Sequence, residues 1–404
     1  MSEIRQFDDA ISARLEAFEQ RYQMLKAANR YFYLQPVVGK VNNRVTMVGG
    51  RELIMLASYS YLGLMGHEGI EAAAKQAIDE YGTGAGGVRL LTGTTDLHER
   101  LEGRIARYSK REDAAVYSSG FLTNIAIITA LLTSKDMVVM DKLDHASIVD
   151  GCMLSGARWR TFRHNDMDHL ESILRRAKGK YESTMVVVDS VYSMDGDMCD
   201  LPALRRICDE YGARLMVDEA HSVGALGATG RGIEEHFDME GSIDIKMGTL
   251  SKAIPSVGGY VAGDRKLINF LKHNSRPFIF SAGLPPAQCA AAIAAFDVIE
   301  NEPERVQRLQ AVQGDYARGL MDLGFNTMET STAIVPVHIG DEMKTLDLTA
   351  RLFELGIFVC PIVHPAVPKG TERLRTCLMA THTEEDLATI FEMFEKAGKE
   401  LDII

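Results

Sequence analysis

Five short apolar runs, separated by segments with helical spacing, constrain the fold of this 404-residue chain more than any other feature. They cover residues 114–116, 137–140, 185–189, 214–217 and 243–247. A half-exposed strand alternates apolar and polar side chains; the first four runs are mostly apolar and read as strands buried on both faces, whereas 243–247 carries Asp244 and Lys246. Strands alternating with helices give an α/β fold, a mostly parallel sheet covered on both sides. In such sheets ligands bind beyond the carboxyl ends of the strands. The polar residues of this chain gather there.

The flanking regions differ. Residues 4–30 carry apolar side chains at helical spacing (Ile4, Phe7, Ile11, Leu15, Phe18, Tyr22, Leu25), which predicts an amphipathic helix packed on a core or a neighbouring subunit. Residues 37–56 read as short β segments broken at Gly49-Gly50, and a helix is expected near 68–81. Pro285-Pro286 opens an Ala-rich helical stretch to about 325, and the tail mixes strand runs at 333–338, 357–359 and 374–378 with helices. The expected organisation is therefore an N-terminal helix and small lobe (1–58), a large domain (59–285) and a smaller α+β domain (286–404).

A net charge of −12 argues against a general nucleic-acid binder, which needs a basic face. The six cysteines form no CxxC pair and no zinc-ligand spacing with histidine, so no metal site is expected. Glu3, Asp8 and Asp9 do not suit a secretory signal, and no apolar run reaches the roughly 20 residues of a spanning helix. The expectation is a cytoplasmic protein without an integral membrane segment.

Each strand end carries chemistry. Asp144 and His145 follow the run at 137–140, and Ser193 follows the run at 185–189. Asp218 and His221 close the run at 214–217, while Thr249 and Lys252 follow the run at 243–247. A lysine at the mouth of a sheet is partly desolvated and sheds its proton, as imine formation with a carbonyl cofactor requires. A carboxylate such as Asp218 keeps a pyridine nitrogen protonated, so the ring accepts electrons. His145 suits stacking on that ring, and His221 or Ser193 suits its phenolic oxygen. Ser118-Ser119-Gly120-Phe121 precedes a helical run and offers N–H groups to a phosphate, with Thr249 one turn before Lys252. That set matches the needs of pyridoxal 5′-phosphate. Gly82-Thr83-Gly84-Ala85-Gly86-Gly87 lacks the P-loop lysine, and is expected to permit close backbone approach to a ligand or a neighbouring subunit.

With those residues in hand, the chain resembles the α-oxoamine synthases, pyridoxal-phosphate enzymes that join an amino acid to an acyl thioester. The likeness runs from about Tyr59 to His382 and rests on Tyr61-Leu62-Gly63, Ser119-Gly120-Phe121, Asp144-His145-Ala146-Ser147, and Tyr192-Ser193-Met194-Asp195-Gly196-Asp197. It continues through Asp218-Glu219-Ala220-His221, Gly248-Thr249-Leu250-Ser251-Lys252, Phe280-Ser281-Ala282-Gly283 and Gly370-Thr371-Glu372-Arg373-Leu374-Arg375. The resemblance implies a fold-type I homodimer with shared active sites. In it Lys252 would carry the Schiff base and act as general base, Asp218 would meet the pyridine nitrogen and His145 would stack. Ser193 and His221 would hold the phenolic oxygen. Ser119, Gly120, Phe121 and Thr249 would lie at the cofactor, Ser281 would reach it from the partner, and Arg375 with Tyr59 would bind the amino acid. The acyl donor would be an acyl-CoA or an acyl carrier protein.

Two departures bear on substrate. Tyr59-Ser60-Tyr61-Leu62-Gly63 is closer to the serine palmitoyltransferase form than to relatives with an asparagine there, and Pro365-Ala366-Val367-Pro368 lacks a hydroxyl those relatives carry. They favour a serine palmitoyltransferase-like choice over aminolevulinate or oxononanoate synthesis. A short-acyl synthase of the 2-amino-3-ketobutyrate ligase type is the alternative within the family. Outside it stand an aminotransferase or aldolase, and a non-catalytic synthase subunit, which typically lacks the lysine kept here.

Overall fold

A computed structural model describes residues 9–328 and 330–404. Its main sheet has seven strands, in the spatial order Asp113–Tyr117, Gly259–Gly263, Ile245–Thr249, Arg214–Asp218, Thr184–Asp189, Met137–Asp141 and Arg158–Phe162. All run parallel except Gly259–Gly263, which is antiparallel to both neighbours. Register is fixed by apolar pairs such as Val187 opposite Met216 and Val188 opposite Val217. Val186, Val187 and Val188 are all fully buried, so both faces of that strand are covered. Each such side chain contributes roughly 1.5–3 kcal/mol of burial free energy.

Two strands of the main sheet escaped the sequence reading. Arg158–Phe162 is a charged edge strand with four of its five residues exposed, so it shows no apolar run. Gly259–Gly263 is bounded by glycines that read as loop. The first of them is required by a close approach: a Cβ on Gly259 would lie 2.4 Å from Thr123 Oγ1 and 2.6 Å from the Gly120 Cα. The last predicted run is shifted, forming Ile245–Thr249.

The helix expected near 68–81 is Glu68–Tyr81. The Ala-rich stretch is two helices, Pro286–Asn301 and Glu304–Asp322, separated at Pro303. Phe296 and Ile299 of the first join one apolar core with Leu97, Leu101 and Ala114 of the large unit and with Val337 and Leu374 of the tail. Strands Arg44–Met47 and Glu52–Met55 pair as a hairpin, and Glu52–Met55 runs parallel to Ile357–Phe358. The lobe at the N-terminus is thus tied to the tail. Ile334–His338, Arg373–Cys377 and Cys360–Ile362 form a small antiparallel sheet.

The N-terminal helix is Ala10–Ala27, capped by the Asp9 carboxylate; Ile4 and Phe7 lie outside the described residues. None of its residues is buried, and Ile11, Leu15 and Phe18 face outward. No core packing of this face is seen among the described residues. In the glycine-rich segment only Gly87 packs closely within the chain, where a Cβ would lie 2.2 Å from Thr92 Oγ1; Gly82, Gly84 and Gly86 face open space.

Candidate active site

Five of the six parallel strands send their following residues to one edge of the sheet, where they converge on a cleft of about 240 Å³. It is lined by Ser119, Gly120, Phe121, His145, Ser193, Asp218, His221, Thr249 and Lys252, all anticipated from the sequence, and by Asn124, Ser147 and Asp189, which were not. Ser281 does not line the cleft of its own chain.

Lys252 Nζ lies 2.9 Å from His221 Nε2, and 5.6 Å from the Tyr59 ring centroid. Burial pushes its amine down to about 8, against the pull of the Asp218 and Asp189 carboxylates. The opposite ring nitrogen, His221 Nδ1, lies 2.6 Å from the Tyr61 hydroxyl. Burial, then Lys252 and Arg375, hold His221 well below the ordinary histidine value, so the ring is neutral and bridges a phenol and an amine. Tyr61 stood in a quoted motif with no assigned role; only the fold brings it to His221.

Asp218 ends its strand buried. Its Oδ1 accepts the Ala220 N–H (2.9 Å), and its Oδ2 accepts from Asn124 Nδ2 (2.7 Å). Behind it, Glu219 forms a buried ion pair with Lys246 (2.8 Å) and accepts the Ile233 N–H, anchoring the strand end. Asp189 Oδ2 accepts the His145 N–H at 2.9 Å, and Asp144 accepts the Asp189 N–H. Burial raises the Asp189 and Asp144 carboxyls well above the carboxylate range, with neighbouring acids adding to it.

His145 caps the helix Ala146–Ser155 through Nδ1 and meets Phe121 edge-on at 6.0 Å. Burial, then the Lys252 charge, lower its pKa against Asp218. The helix Gly120–Leu131 starts at the cleft, with the Ser119 hydroxyl taken by the Leu122 N–H. A Cβ on Gly120 would lie 3.1 Å from Thr249 Oγ1, so the helix start and the strand end are in contact. Thr249 Oγ1 donates to the Gly258 carbonyl (3.0 Å) and lies 2.9 Å from Ser251 Oγ. Arg375 is buried and lies 4.5 Å above the Tyr59 ring. Its Nε has no hydrogen-bond partner, and no described carboxylate pairs with it, whereas nearby Arg373 pairs with Asp195 at 2.7 Å. A buried cation without an anion is costly, so the guanidinium is left with capacity to take a carboxylate.

The aminotransferase class I and II family matches residues 51–394. An 8-amino-7-oxononanoate synthase of Thermoanaerobacter pseudethanolicus is 42% identical over 390 residues, covering 96% of this chain and 98% of that protein. The chain belongs to the α-oxoamine synthases. Among solved α-oxoamine synthases, a serine palmitoyltransferase from S. paucimobilis with a bound PLP–myriocin aldimine superposes with a TM-score of 0.94 at 31% identity, covering 98% of this chain and all of that one. An 8-amino-7-oxononanoate synthase from Francisella tularensis gives a TM-score of 0.74 at 27% identity, covering 86% of this chain and 98% of that one. The chain is thus similar to members of the family that carry two different names. No described helix is long and apolar enough to cross a membrane.

Proposed function

We propose that this chain condenses a small α-amino acid with an acyl thioester, with loss of carbon dioxide, on pyridoxal 5′-phosphate held between Lys252 and Asp218. The observation that carries the reading is one cleft containing a depressed amine and a buried acid, with an unpartnered buried guanidinium behind Tyr59. The donor set fits the cofactor: an amine for its carbonyl, an acid for its ring nitrogen and a helix start for its phosphate.

When bound, pyridoxal phosphate draws electron density from the amino acid's α-carbon, which makes that carbon acidic and then nucleophilic. The Lys252 amine would hold the cofactor at its carbonyl and, once freed by the incoming amino acid, would take the α-proton. Asp218, held in place by the two N–H groups it accepts from, would face the ring nitrogen and favour a proton there. His145 would lie against the ring face, and His221 and Ser193 would hold the phenolic oxygen. The N–H groups of Gly120 and Phe121, with the Ser119 and Thr249 hydroxyls, hold the phosphate. Arg375 binds the amino acid's carboxylate and Tyr59 backs it. As charge develops on the thioester oxygen, a donor from His145 stabilises it.

The relatives' name supports one choice of amino acid. In 8-amino-7-oxononanoate the amine-bearing carbon and its methyl are what remains of alanine after decarboxylation, and the rest derives from a seven-carbon diacid thioester. Alanine with such a thioester is the first reading. Serine with a long acyl chain is the second, favoured by Tyr59 and by the 0.94 superposition. Thiol release from pimeloyl-CoA and palmitoyl-CoA, each with alanine, serine and glycine, tests both. Release with alanine and pimeloyl-CoA, with the matching product mass, supports the first; release with serine and palmitoyl-CoA selects the second. Release with no pair, or without any amino acid, contradicts the function.

The working unit of the proposal is a cytoplasmic homodimer. The Val88–Ala282 bridge brings Leu91 beside the segment containing Phe280 and Ser281, and both apolar side chains are exposed. An apolar patch next to a residue absent from its own cleft supports a partner subunit there, with Ser281 entering the partner's site.

A further inference from the structure

We infer that Asn124 and Ser147 are positioning residues that fix His145 as a hydrogen-bond donor towards the cleft, by a one-way relay starting at the Asp218 carboxylate. The inference rests on the reading of Asp218 and His145 given above, and adds the two residues that link them.

The direction follows from what each group can give. Asp218 Oδ2 is an acceptor, so the Asn124 atom 2.7 Å from it is the amide nitrogen; with the amide turned, two acceptors would face each other. The second Asn124 N–H then points at Ser147 Oγ, 2.9 Å away. Having accepted that bond, the hydroxyl has its single proton left for His145 Nδ1 at 2.7 Å. The Ser147 backbone N–H, 3.3 Å from the same nitrogen, can only donate. Nδ1 therefore carries a bare lone pair, and the proton of the neutral ring sits on Nε2. That nitrogen has no hydrogen-bond partner among the described residues, on a ring that lines the cleft. Both linking side chains are buried, at 1% and 0% exposure, so water does not compete for these bonds. The remaining Asn124 oxygen is buried and unpartnered, a cost the fold accepts to keep the amide in this orientation.

The consequence is a division of labour. A ring held with Nε2–H donates to a developing oxyanion and is poorly suited to remove a proton, which leaves Lys252 as the base. The same network disfavours the imidazolium, because an Nδ1–H would face two donors.

The test is the nitrogen pattern of this one imidazole in ¹⁵N-histidine-labelled protein, measured with and without pyridoxal phosphate and assigned by loss of its signals in His145→Gln. The wild type should show a bare Nδ1 and a protonated Nε2. Ser147→Ala and Asn124→Leu should convert this to a mixture of tautomers, with kcat lowered roughly ten- to a hundredfold and the KM for the amino acid held within about twofold. Ser147→Thr should restore both pattern and rate, which a merely structural defect would not. Protonated Nδ1 in the wild type, or an unchanged pattern in Ser147→Ala, overturns the inference. Absence of a cofactor absorbance band in the wild type would instead overturn the functional reading, since the cofactor-free tautomer is read independently.

Discussion

An amine gives up its proton more readily as water is withdrawn from it, and burial brings Lys252 down to about 8. Capture of pyridoxal phosphate by the cofactor-free protein needs the neutral amine. The neutral fraction falls about tenfold per pH unit below the pKa and saturates above it. The rate of reconstitution should therefore rise through about pH 8 and then level; a rate flat over that range would place the reacting amine elsewhere. Arg375 makes the complementary case for a cation. Arg375→Lys keeps the charge but loses the planar fork, so the KM for the amino acid should rise about tenfold or more, with a smaller effect on kcat in steady-state assays. Lys252, Asp218 and His221 were legible because each follows an apolar run at a fixed spacing. Tyr61, Asn124 and Ser147 were not. Their roles come from partners 160, 94 and 23 residues away, and no local pattern encodes such pairings.

At the scale of elements, the site depends on how tightly a strand and a helix start approach each other. The Gly259 backbone presses on Gly120 and Thr123 at the beginning of the helix that faces the cleft. A methyl group there has no room, and Gly259→Ala should cost about 1–3 kcal/mol and weaken cofactor binding by displacing that helix start. Chemical denaturation and cofactor titration check both; an unchanged midpoint would mean the contact is looser than drawn. Four of the five strand runs lay within a residue of where the sequence set them, because strands buried on both faces need uninterrupted apolar side chains. The strand Gly259–Gly263 was hidden by the glycines that its close packing demands. The edge strand Arg158–Phe162 was hidden by its exposure to solvent.

At the scale of the molecule, two of the apolar surfaces left exposed among the described residues lie along the helix Ala10–Ala27 and around Leu91 and Phe280. The sequence announced the first stripe but not what covers it, since an amphipathic pattern does not distinguish a core from a partner. The second lies beside Ser281, so subunit contact and catalysis should fail together there. Phe280→Asp should shift the protein towards monomer in sedimentation velocity and lower thiol release at least about tenfold. A fully active monomer would remove the shared site from the account.

The most direct measurement of the central claim is borohydride reduction of the holoprotein followed by peptide mapping. The account predicts loss of the visible imine band, a reduced pyridoxyl adduct on the peptide containing Lys252, and neither band nor adduct in Lys252→Ala. An adduct on any other lysine, or an unchanged band in Lys252→Ala, would contradict it.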